Sequence, residues 1–87
     1  MGNQANSSYI PVPPKRRVNL TTERVKRGMS AAALGRAVGV KPNAVRNWEK
    51  GVFTPDATHL ILLSKLFGKD SEYLLQIQEQ AEEPDDA

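Results

Sequence analysis

Cysteine is absent from this chain of 87 residues, which excludes disulfides and thiolate metal sites. Aromatic side chains are scarce, since the chain holds only one Trp, two Tyr and two Phe. The longest hydrophobic run spans residues 60–63 and is far too short to cross a bilayer. The N-terminus also lacks the hydrophobic centre of a secretion signal. With 39% hydrophobic residues, the sequence predicts one small cytoplasmic domain with a modest core and no membrane segment.

The side-chain patterns typical of enzymes are also missing. The sequence has no paired carboxylates indicating a catalytic pocket, no nucleophile beside a base and no glycine loop of phosphate-binding pattern. His59 is the only histidine, and no second metal ligand or nucleophile lies near it in the sequence. We therefore interpret His59 as a surface residue and expect no enzyme, no metal ion and no cofactor.

Charge is distributed unevenly along the chain. Residues 15–50 hold ten Lys and Arg against two acids, whereas residues 51–87 hold two Lys against eight acids. One part of the molecule should attract a polyanion such as nucleic acid, and the other part should repel it. A simpler interpretation, that the charges only aid solubility, stays open at this point.

Residues 30–51 predict two short helices joined by a tight turn. Ser30 can cap the first helix through its hydroxyl, and Leu34 and Val38 lie four residues apart on one face. Gly39 follows where a chain leaving a helix often needs positive φ. Pro42 suits the first turn of the next helix, because its φ is already helical and its missing N–H is not needed there.

The spacing within this segment is that of a helix-turn-helix. Gly35 supplies the small contact that two steeply crossing helices need, and Val45 and Trp48, three residues apart, give the second helix its buried stripe. In this register the sequence resembles the lambda-repressor-like (Cro/C1, or XRE) family, over residues 18–75. The resemblance implies an all-α fold, a compact five-helix lambda-repressor-like domain that contains a helix-turn-helix.

Further helices are expected on both sides of this motif. A first helix is expected from Val18 or Thr21 to Arg27, with Leu20 and Val25 facing the core. Residues 57–67 predict a helix capped by Asp56, and Asp70 or Ser71 caps a last helix. We expect Phe53 to cover the core edge. The expected organisation is a flexible basic arm at 1–17, the helix-turn-helix domain at 18–78 and an acidic disordered tail at 79–87.

The second motif helix, residues 42–50, is the candidate recognition helix. If Val45 and Trp48 point inward, the outer side can meet a major groove with four candidate base-reading residues: Lys41, Asn43, Ala44 and Asn47. An asparagine can bond both N6 and N7 of adenine, and an alanine can contact a thymine methyl. An ordinary solvated polar face fits the same composition.

Eight residues are candidates for contacts to DNA phosphates. In the family that the chain resembles, the first residue of the first motif helix is often a glutamine that bonds a phosphate, but here it is Ala31, so only backbone N–H groups remain there. The candidates are Lys15, Arg16, Arg17, Ser30, Ala31, Arg36, Arg46 and Lys50. For residues 15–17 the alternative is a solvated charge run at a flexible terminus.

The resemblance also implies a structural salt bridge between Arg24 and Glu49. A pair of this kind holds geometry more than it adds net stability, and removing one partner leaves the other charge unpaired. The alternative is two ordinary surface charges.

Finally, the resemblance implies a sequence-specific regulator of transcription, a repressor of phage or bacterial type, that binds double-stranded DNA as a homodimer. The candidate dimer contacts are Leu62, Leu66, Leu75 and Ile77. These residues could instead complete the core of the monomer. A second function stays open, because the same fold serves as an antitoxin or other protein-binding module in which a partner covers hydrophobic helices.

Overall fold

The computed structural model describes residues 15–79, which form five helices and one two-stranded ladder. In chain order the elements are β1 (Lys15–Arg16), α1 (Val18–Lys26), α2 (Ala31–Val38), α3 (Pro42–Glu49), α4 (Ala57–Phe67), α5 (Ser71–Leu75) and β2 (Gln78–Glu79). The expected all-α architecture of five helices is thereby confirmed. Most of the arm expected at 1–17 and of the tail expected at 79–87 lies outside the described residues.

The core is assembled from one apolar stripe of each helix. Its buried members are Leu20, Leu34, Val38, Val45, Trp48, Leu63, Phe67 and Leu74. Each such side chain contributes about 1.5–3 kcal/mol when it leaves water. All five helices supply at least one of these residues, so none of the helices is an appendage.

The turn between α2 and α3 depends on two glycines. Ser30 caps α2, its hydroxyl accepting from the backbone N–H of Ala33 at 3.0 Å. At the other end Gly39 has a φ of 85°, and its N–H and that of Val40 both donate to the carbonyl of Gly35, at 2.7 and 2.8 Å. Gly35 faces the carbonyl of Val40 so closely that a Cβ would lie 2.5 Å from that oxygen. The helices can approach and turn only because both positions lack a side chain.

The remaining helices close the core from the other side. The Asp56 carboxylate caps α4 by accepting from the backbone N–H of His59 at 3.0 Å. α5 has only five residues, after which the chain pairs with β1 in antiparallel register, Lys15 opposite Glu79 and Arg16 opposite Gln78. No helix among residues 15–79 has the length and apolar character to cross a membrane.

Two expectations about the packing are wrong. Val25 is 59% exposed rather than in the core, because five residues separate it from Leu20 and a helix turns by about 140° beyond one full turn over that interval. Phe53 is 60% exposed and does not cover the core edge. The ladder of β1 and β2 pairs Lys15 with Glu79 and Arg16 with Gln78, just outside the domain expected at 18–78, whose bounds stay a prediction.

Candidate nucleic-acid interface

The outer side of α3 carries the four candidate base-reading residues. Val45 and Trp48 are buried beneath the helix, at 0% and 5% exposure. Lys41 and Asn43 are exposed, and Ala44 and Asn47 are half-buried. Helical geometry places Asn43, Ala44 and Asn47 within about 100° of arc, so the structure brings them to one side of α3, with Lys41 at its N-cap.

Exposed cationic side chains lie on α3 and on two further segments of the chain. Arg36 of α2, Arg46 of α3 and Lys50 just after it are exposed, and so are Lys15 and Arg16 of β1. A surface of this kind attracts the phosphates of a nucleic acid independently of sequence. The five residues come from three segments of the chain that the fold unites.

The beginning of α2 offers backbone donors as well. The exposed Ser30 and the half-buried Ala31 stand at this helix start. The Ser30 hydroxyl accepts from the N–H of Ala33. The N–H groups of Ala31 and Ala32 lie in the first turn of α2, where a helix offers no carbonyl as an acceptor. Such N–H groups, at the positive end of the helix dipole, favour an anion.

Arg17 is not available to a phosphate, which corrects its sequence-based assignment. Arg17 is only 4% exposed, and its guanidinium donates to the carbonyl oxygens of Trp48 at 2.7 Å and Phe53 at 2.9 Å. It also donates to Thr54 Oγ1 at 3.0 Å and the Leu75 carbonyl at 3.3 Å. Burial lowers the pKa of Arg17 from its usual range. Nothing in three consecutive basic residues distinguishes the one that turns inward.

The ion pair implied by the resemblance is present. Arg24 Nε donates to Glu49 Oε2 at 2.6 Å and Nη2 to Oε1 at 3.1 Å, a bidentate arrangement. The same guanidinium donates to the carbonyl of Met29 at 2.8 Å, just before α2. These bonds with Glu49 raise the pKa of Arg24. One arginine of α1 thus joins the end of α3 to the beginning of α2.

An open groove of about 400 Å³ lies beside this ion pair. It is lined by Arg16, Val18, Thr21, Thr22, Arg24 and Glu49. Sequence reasoning missed Thr21 and Thr22, because two threonines in a helix carry no signal until the fold sets them beside an exposed arginine and the end of α3. Their hydroxyls and Arg16 make this groove a polar, cationic border of the candidate interface.

The candidate dimer contacts are divided between two places. Leu62 and Leu66 lie on α4, each 40% exposed, and the structure brings them together with Ile61, which is 55% exposed. Leu75 is half-buried at the end of α5, and Ile77, 42% exposed, follows it. Within residues 15–79, no three His, Asp or Glu side chains gather closely enough to hold a metal ion.

Comparison with known proteins agrees with this geometry. Residues 20–74 match the helix-turn-helix family. Among solved structures the chain is similar to the P22 c2 repressor protein, crystallised with synthetic operator 9T in the presence of Tl+. The identity is 35%, the match covers 66% of this chain and 86% of that one, and the TM-score is 0.62. No curated protein matches the chain significantly. On the family match and this likeness, the chain belongs to the helix-turn-helix family, as a lambda-repressor-like domain of the Cro/C1 type.

Proposed function

We propose that the protein is a sequence-specific regulator of transcription that binds double-stranded DNA and reads the major groove with α3. The observation that carries the proposal is the orientation of α3, with Val45 and Trp48 buried and Asn43 exposed among cationic side chains. The similarity to a repressor crystallised with its operator supports the same conclusion. The activity is binding rather than catalysis, and its place is the cytoplasm.

Base reading falls to Lys41, Asn43, Ala44 and Asn47. Asn43 and Asn47 are one helical turn apart, so both amides can address the same groove, and Ala44 between them can contact a thymine methyl. Lys41, in extended backbone at the start of α3, can reach a guanine edge. Together these residues span a few successive base pairs.

Phosphate contacts set the position of α3 but carry no sequence information. We assign them to Lys15, Arg16, Arg36, Arg46, Lys50 and the α2 start at Ser30 and Ala31. The groove between Arg16 and Glu49 adds the hydroxyl of the exposed Thr22 as a donor beside the DNA backbone. Occupation of a promoter by the bound protein would repress transcription.

Selection of preferred sites from random duplex DNA tests the proposal. We expect a defined site, and Asn47→Ala should relax preference at one base step by about 1–3 kcal/mol. Lys65→Gln, on the exposed side of α4, is the matched control and should keep the selected site. Failure to bind any duplex at low salt would overturn the proposal, and equal weakening by Asn47→Ala on every sequence would assign Asn47 to the backbone.

We further propose that two copies bind together, using the exposed side chains of Leu62 and Leu66 in a self-complementary contact, with Leu75 and Ile77 as further candidates. A dimer predicts a two-fold symmetric site with half-sites about one helical turn apart. Leu62→Gln with Leu66→Gln should weaken binding to the full site and leave binding to a single half-site unchanged.

The same exposed leucines favour a second function, a protein-binding module of the antitoxin type. A partner that covers α4 would bury Ile61, Leu62 and Leu66 together. Co-purification with the product of a neighbouring gene, lost in the Leu62→Gln and Leu66→Gln double variant, would support this function. Retention of a symmetric DNA site with no co-purified protein would support the dimer alone.

A further inference from the structure

We infer that Arg17 is a positioning residue that fixes the last turn of α3 and thereby determines which base Asn47 reads. The inference rests on the proposed DNA reading by α3. It assigns a part in sequence recognition to a residue that is buried and lies outside the recognition helix.

The last carbonyl oxygens of an α-helix have no partner inside the helix, and Arg17 supplies two of the partners that α3 needs. Its backbone N–H donates to the carbonyl of Glu49 at 2.8 Å, and its Nη1 donates to that of Trp48 at 2.7 Å. The loop supplies the others: the N–H of Lys50 bonds the Arg46 carbonyl at 2.9 Å, and that of Val52 bonds the Asn47 carbonyl at 2.9 Å.

The same guanidinium ties this loop to a third element. Nη1 also donates to the Phe53 carbonyl at 2.9 Å and Nη2 to Thr54 Oγ1 at 3.0 Å, while Nε reaches the Leu75 carbonyl at the end of α5 at 3.3 Å. A planar guanidinium can hold donors in such a fixed fork, which an ammonium cannot. The positive charge also stands at the negative ends of both α3 and α5, where it is favourable.

The two ends of α3 are therefore held by different means. The first turn, with Asn43, follows directly on the α2 turn that Gly35 and Gly39 shape. The last turn, with Asn47, is held by Arg17 and by the ion pair of Arg24 with Glu49. Without Arg17 the helix would keep its internal bonds and its first turn, but the loop at 51–54 and the backbone turn that carries Asn47 would lose contacts that hold them in position.

Two variants of Arg17, compared with one variant of the neighbouring Arg16, distinguish this positioning role from a phosphate contact. Arg17→Met removes charge and donors, and Arg17→Lys keeps the charge but cannot reach four acceptors in the same fork. In both we expect the ratio of affinities for the selected site and a scrambled site to fall by about tenfold, the size of one lost base contact. The loss should fall on the base pair whose preference Asn47→Ala also removes.

The salt dependence provides the contrast. Arg16→Met, one residue away and exposed, should make the slope of log K against log salt less steep by about 0.9. It should leave the affinity ratio unchanged. The Arg17 variants should keep the slope of the unaltered protein. A less steep slope with an unchanged affinity ratio in Arg17→Met would make Arg17 a phosphate ligand and overturn the inference. Equal weakening of binding to all sequences would overturn it as well.

Amide hydrogen exchange tests the structural half without DNA. Arg17→Lys, the variant that keeps the charge, should speed exchange at Gly51 and Val52, whose N–H groups bond the carbonyls of Trp48 and Asn47. Exchange at Gly39, bonded within α2, should not change. Unchanged protection at Gly51 and Val52 would contradict the inference even if the variant binds DNA differently. Absence of DNA binding by the unaltered protein, with faster exchange in the variant, would instead contradict the proposed function.

Discussion

The close approach of Gly35 to Val40 leaves no room for a side chain at position 35. A methyl group at Gly35 would stand 2.5 Å from the carbonyl oxygen of Val40, and that oxygen belongs to backbone that cannot rotate away. The crossing of α2 and α3, which aims the base-reading face, therefore depends on the absence of one side chain.

Gly35→Ala should lower the free energy of unfolding by about 1–3 kcal/mol, because backbone must move to admit the methyl group. Ala37→Ser, at an exposed position of the same helix, is the control and should change stability by no more than about 0.5 kcal/mol. Fluorescence of Trp48, the only tryptophan, reports unfolding in urea. Equal midpoints for Gly35→Ala and the unaltered protein would contradict the geometry.

The ion pair between Arg24 and Glu49 acts on two elements through one contact. Its side chains are 17% and 10% exposed, so each charge would be left poorly solvated without its partner. Arg24→Met or Glu49→Gln alone should cost about 1.5–3 kcal/mol of stability. The double variant should lose less than the sum of the two, as urea unfolding of all four proteins would show. Strictly additive losses would mean that the two side chains do not interact.

For single residues, the sequence predicts burial where the helical spacing of hydrophobic residues determines it. Val45 and Trp48 are buried because they share the stripe of α3 that faces α2, and spacing alone predicted this. Arg17 could not be predicted, because its partners are carbonyl groups distant in sequence, at Trp48, Phe53 and Leu75. Base and phosphate contacts of individual residues stay predictions.

Helix α1 is joined to α4 and α5 through a buried carboxylate. Glu23 is 1% exposed and accepts from Arg27 Nη1 at 2.8 Å and from the Tyr73 hydroxyl at 2.8 Å. Arg27 in turn donates to the Phe67 carbonyl at 2.9 Å and lies over the Phe67 ring. These bonds, that from Arg27 first, hold the pKa of Glu23 below its usual range. The polar cluster thus fixes how three helices meet.

This arrangement makes stability depend on pH in one direction. A carboxyl whose pKa is lowered by folding contributes stability above its unfolded pKa of about 4.3, and the contribution is lost as the pH falls through the folded value. The unfolding midpoint should therefore fall on acidification from pH 6 to 3. Asp56, whose pKa the N–H of His59 lowers, acts in the same direction.

The side chain in Glu23→Gln cannot ionise, so this variant should show a weaker pH dependence of stability. Asp56→Asn should also weaken the pH dependence, but independently of Glu23, because Asp56 caps only the start of α4. Thermal unfolding measured by the fluorescence of Trp48 across the same pH range compares the three proteins. Parallel curves for Glu23→Gln and the unaltered protein would show that Glu23 is not held in its charged form.

Helices that are long enough to show a hydrophobic period and that have capping residues at their ends could be predicted from the sequence. The bounds expected for α2 and α4 agree with those observed, because Ser30, Gly39, Asp56 and Gly68 mark their ends. Two-residue strands have no period to detect, so β1 and β2 were missed. Near the ladder, Arg17, the residue after β1, donates from Nε to the carbonyl of Leu75 at the end of α5.

Across the whole molecule, the charges are sorted by the fold as well as by the sequence. Five exposed cations, Lys15, Arg16, Arg36, Arg46 and Lys50, come from β1, α2, α3 and the residue after α3. The exposed acidic residues Asp56, Asp70 and Glu72 belong to the later part of the chain, around α4 and α5, whereas Glu23 and Glu49 of the earlier part are buried in ion pairs. This polarity should orient the protein on DNA before any base is read.

The salt dependence of binding should reflect those five cations. If each neutralises one phosphate, the slope of log K against log salt is about −4.5 per protomer. Arg46→Gln should make the slope less steep by about 0.9, and Lys65→Gln on α4 should leave it unaltered. Fluorescence anisotropy of a labelled duplex over a salt series measures both. A slope near zero would remove the electrostatic part of the account.

The central claim is that the outer side of α3 meets the bases, and titration of isotope-labelled protein with the selected duplex tests it most directly. We expect intermolecular contacts from the side-chain amides of Asn43 and Asn47 to base protons, with the largest shifts along α3 and at the start of α2. Shifts concentrated on the exposed side of α4 around Leu62, with α3 unperturbed, would contradict it.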